Sequence, residues 1–314
     1  MKLSLLRTIQ KELIFLVYKN FEKSLLSHFI FFSYLGARIC YAKTHPLALF
    51  FEEKFQNFEK FKNFLLNLKK AKHYSVFSHT PIFLNTQSLS EKEKSLLAQN
   101  FFKIFWDNEN GYALFNLRHL AENLEDEEFK KLIDIAPDLS FINIKIFKNF
   151  QLFYEGSFFN LPTEIFKEDN SVWAIPEVII IEIKINHPFN WIGVIAHNFS
   201  RIFSHQFVRH TWLNFNQRSH RYTYIEKFVI PSTFDEKCKD TYEKIIKLSL
   251  ETYKDLSESI KKEDTRFIIP QGVATSILAT APLFVWEDFI TKRAIPQAQE
   301  EIRKLACLLK ENLF

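Results

Sequence analysis

The run Val178-Ile-Ile-Ile-Glu-Ile-Lys-Ile185 constrains this chain more than any other stretch. It is almost wholly β-branched, with polar groups only at 182 and 184, so it suits a strand inside a sheet and suits a helix poorly. Ser140-Phe-Ile-Asn-Ile-Lys-Ile-Phe147 repeats the pattern with partial period-2 alternation. Helical periods surround these two strands. Residues from about 4 to 35 read as helix, as do 90–106 and 117–133, whose outer faces are rich in Glu and Lys. From Asn198 the helical spacing returns through Phe199, Ile202, Phe203 and Phe207. Tyr242, Ile246, Tyr253, Leu256 and Ile260 define one face of a helix over about 236–262. Pro282 suits the first turn of a helix running to about Arg293, and a last helix follows Pro296 with Ile302, Leu305, Leu309 and Leu313 as its buried stripe. Helices flanking a modest sheet predict an α+β fold. No repeat, low-complexity tract or Pro/Gly-rich linker marks a boundary, so residues 1–314 read as a single domain.

Composition narrows the function classes. The balance of 47% hydrophobic and 25% charged residues over 314 positions excludes a disordered or fibrous chain. The longest apolar runs, such as Val178–Ile181 and Phe29–Phe32, fall far short of the ~18 residues of a membrane span. Lys11, Glu12, Lys19 and Glu22 interrupt the stretch where a signal peptide would lie. The expectation is a cytoplasmic protein with no membrane partner. Cys40, Cys238 and Cys307 are too few and too unevenly spaced for a disulfide framework or a four-thiolate zinc site. His205 and His210 would point about 140° apart on a helix. His187, His197 and His220 lack a carboxylate or thiol at ligand spacing, so no metal is expected. A net charge of +4 permits an anionic ligand without demanding nucleic acid.

The densest functional stretch runs from Ser200 to Tyr222. On a helix, Gln206, Arg209 and His210 share a face, and Asn216, Ser219 and Arg221 follow in a polar stretch. Guanidiniums, a hydroxyl and amides converging on one place suit a phosphorylated ligand, because the Arg fork matches phosphate bidentately. A solvated basic helix end with aromatics packed beneath it fits the same residues. So does a single-stranded nucleic-acid surface stacking bases on Trp212, Phe215 and Tyr222.

The order Ser-Arg-x-x-x-His-Gln-x-x-Arg-His over 200–210, then Asn216, Ser219, Arg221 and Tyr222, resembles the signature of the flavin-dependent thymidylate synthases. Three other segments agree. Gly36-Ala-Arg-Ile-Cys-Tyr41 resembles the family's N-terminal helix, and Lys72-His-Tyr-Ser-Val-Phe-Ser-His79 its histidine-bearing turn. Arg266-Phe-Ile-Ile-Pro270, Thr275, Arg293 and Ala298-Gln-Glu-Glu-Ile-Arg303 resemble its C-terminal block. The match covers about residues 30–80 and 198–310. It implies a helix-flanked, largely antiparallel sheet of that family's type, with an inserted subdomain at about 81–175. It also implies reductive methylation of dUMP to dTMP, with methylenetetrahydrofolate as carbon donor, FAD as hydride carrier and NADPH as reductant. The family is a homotetramer with sites between subunits, and nucleic acid is not a partner. No cysteine nucleophile is required.

The resemblance also carries roles onto matching positions. Arg293 is the expected catalytic group, polarising the uracil ring. Gln206, Arg209, Gln217, Ser219, Arg221, Arg266 and Arg293 are expected on dUMP. Arg209, His210, Thr211 and Asn216 are expected on FAD, with His79 and Tyr222 near flavin and folate. Departures are several. Thr211 stands where the family has a third cation, Asn214 where it has Ser, Gln217 where it has Glu, and Ser78 where a Glu precedes the turn's His. The family's flavin-binding Asn-x-Arg falls on Pro282 and Phe284, and a later Asn or His on Asp288. Asn116-Leu-Arg118-His-Leu120, inside the insertion, has the form of the missing element, so Asn116 and Arg118 are expected to replace it. A non-catalytic nucleotide- or flavin-binding homologue remains the alternative, ahead of a single-strand nucleic-acid binder.

Overall fold

The computed structural model describes residues 3–166, 171–185, 187, 189–223 and 225–314. Two antiparallel sheets carry the architecture. Strands β1 (Pro81–Asn85), β2 (Phe105–Asp107) and β3 (Tyr112–Asn116) make a small sheet in the order β1-β3-β2. Strands β4 (Ile142–Lys148), β5 (Gln151–Ser157), β6 (Glu177–Ile183), β7 (Trp191–Ser200), β8 (Asn214–Gln217) and β9 (Ala274–Pro282) make a larger one in the order β5-β4-β6-β7-β9-β8. The stretch 81–175 therefore divides between the two sheets, since β4 and β5 extend the large one beyond β6. Residues 167–170 of that stretch lie outside the described residues.

Side-chain alternation accounts for the layers. Ile179, Ile181, Ile195 and Leu278 join one core; Val178, Ile180, Val194 and Ile277 join the other. A strand covered on both faces is apolar almost continuously, which gives 178–185 its composition. The first core is filled by helices Leu3–Asn20, Lys23–Phe29, Phe31–Tyr41 and Phe58–Lys70 together with the small sheet. The second is filled by helices Arg201–Phe207, Leu283–Arg293 and Glu300–Leu313. Packing against β7 is close enough to require glycine: a Cβ at Gly193 would lie 2.3 Å from the Phe32 ring. Among the described residues no helix is long and apolar enough to cross a membrane.

Several boundaries differ from the sequence expectation. The helix expected over 4–35 breaks after Asn20, where Phe21 bridges to Leu84, and again at Ile30. The 90–106 segment is helical only to Asn100, and 117–133 splits at Leu124. Phe199 is strand, not helix. β7 bulges at Asn198, whose φ is +62°, and runs to Ser200, whose hydroxyl caps the next helix at Phe203 N. The long helix is Glu236–Leu256, and Ile260 lies beyond its end, exposed. On the last helix Leu308 rather than Leu313 completes the buried stripe, and Cys307 is exposed.

Candidate functional site

Arg293 ends helix Leu283–Arg293 and donates from Nε to His210 Nε2 at 2.8 Å. Burial, then the Arg293 charge, lowers His210 to about 4, so the ring is neutral and its lone pair accepts. The ring also packs edge-on against Phe289. Arg209, His210, Thr211, Asp288 and Arg293 line a cavity of about 210 Å³. The expected shared helical face does not form: the helix stops at Phe207, and Arg209 and His210 sit in the turn that follows. Gln206 remains on the helix, outside this cavity. Asp288 is held by Lys292 at 2.7 Å.

A second cavity, of about 630 Å³, lies between the 101–123 stretch and residues 211–215. Ser75 and Ser78 of the histidine-bearing turn reach it, as do Thr211 and Asn214 of the central signature and Asn116 and Arg118 of the insertion. Asn116 Oδ1 is buried there without a hydrogen-bond partner. Arg118 Nε is held by Glu122 at 2.7 Å. Lys103, which sequence reasoning missed because 90–106 read as one helix, lines the same space. Its Nζ donates to Leu213 O and Asn214 Oδ1 at 2.8 and 3.1 Å. His119 is neutral, lowered to about 4 by burial, and its Nε2 donates to Phe102 O.

The remaining expected residues form a separate group. Ser219 N donates to Cys40 O, and Gln217 Nε2 to Thr275 Oγ1. Arg221 makes two bonds to Glu263 Oε2, at 3.0 and 2.6 Å, and Arg266 Nε donates to Glu263 O. Tyr222 lies against Tyr41 with ring centroids 5.2 Å apart. Arg201 belongs here too: burial and the nearby Arg266 lower its guanidinium. Sequence reasoning quoted Arg201 within the signature without giving it a role.

His79 and Asn216 are not brought to either cavity. His79 is fully buried; its Nε2 donates to Asn216 Oδ1 at 2.8 Å and its Nδ1 accepts from Thr280 Oγ1 at 2.9 Å. Asn216 Nδ2 in turn donates to Cys40 Sγ. A Cβ at Gly36 would meet the His79 ring at 2.6 Å, which explains the glycine in Gly36-Ala-Arg. The aromatics proposed as a base-stacking surface are dispersed: Phe215 packs on Phe207, Trp212 stacks on Phe102, and Tyr222 faces Tyr41. Phe284, in the place of the family's flavin-binding Arg, meets Phe105 of the insertion edge-on at 5.0 Å.

The fold and these cavities define an α+β protein with cation-lined clefts beside its large sheet. Comparison with known proteins shows that part of the chain is similar to a known family. Residues 192–313 match the family described as thymidylate synthase complementing protein. The flavin-dependent thymidylate synthase of Pyrococcus abyssi is 38% identical over 124 residues, which is 36% of this chain and 50% of the relative. That of Thermococcus onnurineus is 42% identical over 117 residues, 34% of this chain and 47% of the relative. That of Saccharolobus solfataricus is 34% identical over 119 residues, 36% and 46% respectively. The chain spans about half the length of these curated relatives. Over that segment its resemblance to the flavin-dependent thymidylate synthases is a finding and no longer an expectation.

Proposed function

We propose that the protein is a flavin-dependent thymidylate synthase with that family's fold. It would convert dUMP to dTMP with methylenetetrahydrofolate, FAD and NADPH, in the cytoplasm. The observation that carries the reading is the Arg293–His210 pair at a cavity rim, next to a larger cavity reached by three motif segments. The larger cavity fits a flavin. Its volume of about 630 Å³ lies within the ~300–1,000 Å³ of cofactor sites, and it offers hydroxyls, cations and the partnerless Asn116 Oδ1. Ser75, Ser78, Asn116, Arg118 and Thr211 would hold the cofactor, which supplies a hydride when bound.

The chain's own residues then have definite tasks. Arg293, fixed through Nε by a neutral imidazole, keeps its terminal nitrogens for the uracil ring. A guanidinium there stabilises negative charge on the ring as C5 becomes nucleophilic, which removes the need for a thiolate. The cysteines agree: burial pushes the Cys40 thiol up, and Sγ already accepts from Asn216. Arg201, Ser219, Arg221 and Arg266 suit the phosphate and sugar of dUMP. None of them lines the Arg293 cavity, which supports a site completed between copies, as in a homotetramer.

The test is the absorbance spectrum of purified protein titrated with FAD, then with dUMP. Saturable flavin binding is expected. Protein that binds dUMP but no flavin would point instead to a non-catalytic nucleotide binder.

A further inference from the structure

The larger cavity contains a cation that no motif predicts. Lys103 adopts a left-handed backbone, φ +59°, which a long side chain takes up rarely and which clusters at ligand sites. Its ammonium has three donors; two are committed to Leu213 O and Asn214 Oδ1, and the third is left for the cavity it lines. Two departures from the family signature become related by this contact. Thr211 removes a guanidinium from the cavity wall. Asn214, in place of Ser, carries its oxygen one bond further from the backbone and so reaches Lys103 Nζ. The amide that looked like a lost hydroxyl is the anchor for a new cation.

We propose that Lys103, anchored by Asn214, binds the diphosphate of a flavin dinucleotide in place of the guanidinium missing at position 211. The inference rests on the flavin reading above. The groups facing the ammonium agree with it. Burial and the nearby Arg118 charge lower the Lys103 amine to about 8, so an anion between the two cations relieves both. Glu122 engages only Nε of Arg118, and His119 is neutral. Asn116 Oδ1 needs a donor. A ligand with anionic oxygens and N–H or O–H groups meets both demands, as the diphosphate and the hydroxyls of a flavin dinucleotide do together.

The experiment is equilibrium titration of FAD and of riboflavin into wild type, Lys103→Ala, Asn214→Ser, and Lys103→Ala combined with Thr211→Arg. Lys103→Ala is expected to weaken FAD by about tenfold to a hundredfold while leaving riboflavin affinity unchanged. Asn214→Ser should weaken FAD by less, and Thr211→Arg should recover most of the loss. FAD binding that survives Lys103→Ala unchanged overturns the role of Lys103 and leaves the flavin reading standing. Equal losses for FAD and riboflavin, with a lower thermal midpoint, also overturn it, because they mark a structural lysine. Wild-type protein that binds neither flavin overturns both.

Discussion

Arg293 and His210 divide one task between charge and position. A guanidinium tethered through Nε loses little reach at its terminal nitrogens, and the imidazole that tethers it must be neutral to accept. Arg293→Ala removes a charge donor acting on a developing anion, so dTMP formation should fall about 10²–10³-fold, mostly in kcat. Its place at a helix end predicts an unchanged thermal midpoint; turnover near the wild-type rate would sink the assignment. His79 sets a different expectation. Its pKa is lowered from 6.5 to about 4, chiefly by burial, so on acidification the unfolded chain takes up the proton first. The stability this contributes is full above pH 6.5 and is lost as pH falls to about 4, a loss of about 3 kcal/mol. Urea midpoints between pH 7 and 4.5 should drop, and His79→Gln, though less stable at pH 7, should flatten that slope. An unflattened slope would put the acid sensitivity elsewhere. The place of Arg293 at a helix end was legible because Pro282 and the helical stretch that follows it lie in the sequence. The burial of His79 was not, because Thr280 and Asn216 reach it only through the folded sheet.

The insertion explains at the element level what single positions leave obscure. Phe284 stands where the resemblance expects a flavin-binding Arg, and its ring meets Phe105, which in turn meets Trp212, so the segment carrying Phe105 packs against that position. Phe284→Ala should therefore act through packing. The ring is half exposed, so the cost should fall below the ~3–5 kcal/mol of a buried Phe, with no selective effect on FAD. Arg118→Ala should do the reverse, weakening FAD by about tenfold to a hundredfold with dUMP binding and thermal midpoint retained. Unchanged FAD affinity in Arg118→Ala removes the compensation by the insertion. Strand legibility followed composition rather than burial, since β9 is buried along almost its whole length. β6 is covered on both faces and reads plainly, whereas β5 is mostly exposed, with Gln151 and Glu155 in it, and β9 is rich in Ala, Ser and Thr. Leu152-Phe-Tyr154 in β5 is short, and Thr275, Ile277 and Thr280 in β9 are scattered among small residues, so neither stands out as the β-branched or aromatic run by which a strand is recognised.

Across the whole molecule, most of the expected site residues fall into two groups with different partners. Arg209, His210 and Arg293 share one cavity; Ser219, Arg221 and Arg266 gather around Cys40 and Glu263. A site completed between copies predicts complementation. Arg293→Ala and Arg221→Ala chains, each inactive alone, should recover activity when co-expressed, and a sedimentation mass equal to one chain would contradict it. The sequence could not display this division, because motif order says nothing about where the fold carries each segment. The central claim, uracil methylation without a thiolate, has one direct measurement: tritium release from dUMP labelled at C5, with methylenetetrahydrofolate, NADPH and FAD present. Release is expected to require FAD, to persist in the triple Cys40→Ala, Cys238→Ala, Cys307→Ala chain and to fall about 10²–10³-fold in Arg293→Ala. Release that is absent from wild-type protein carrying bound flavin, or that disappears with the cysteines in a folded chain, would contradict it.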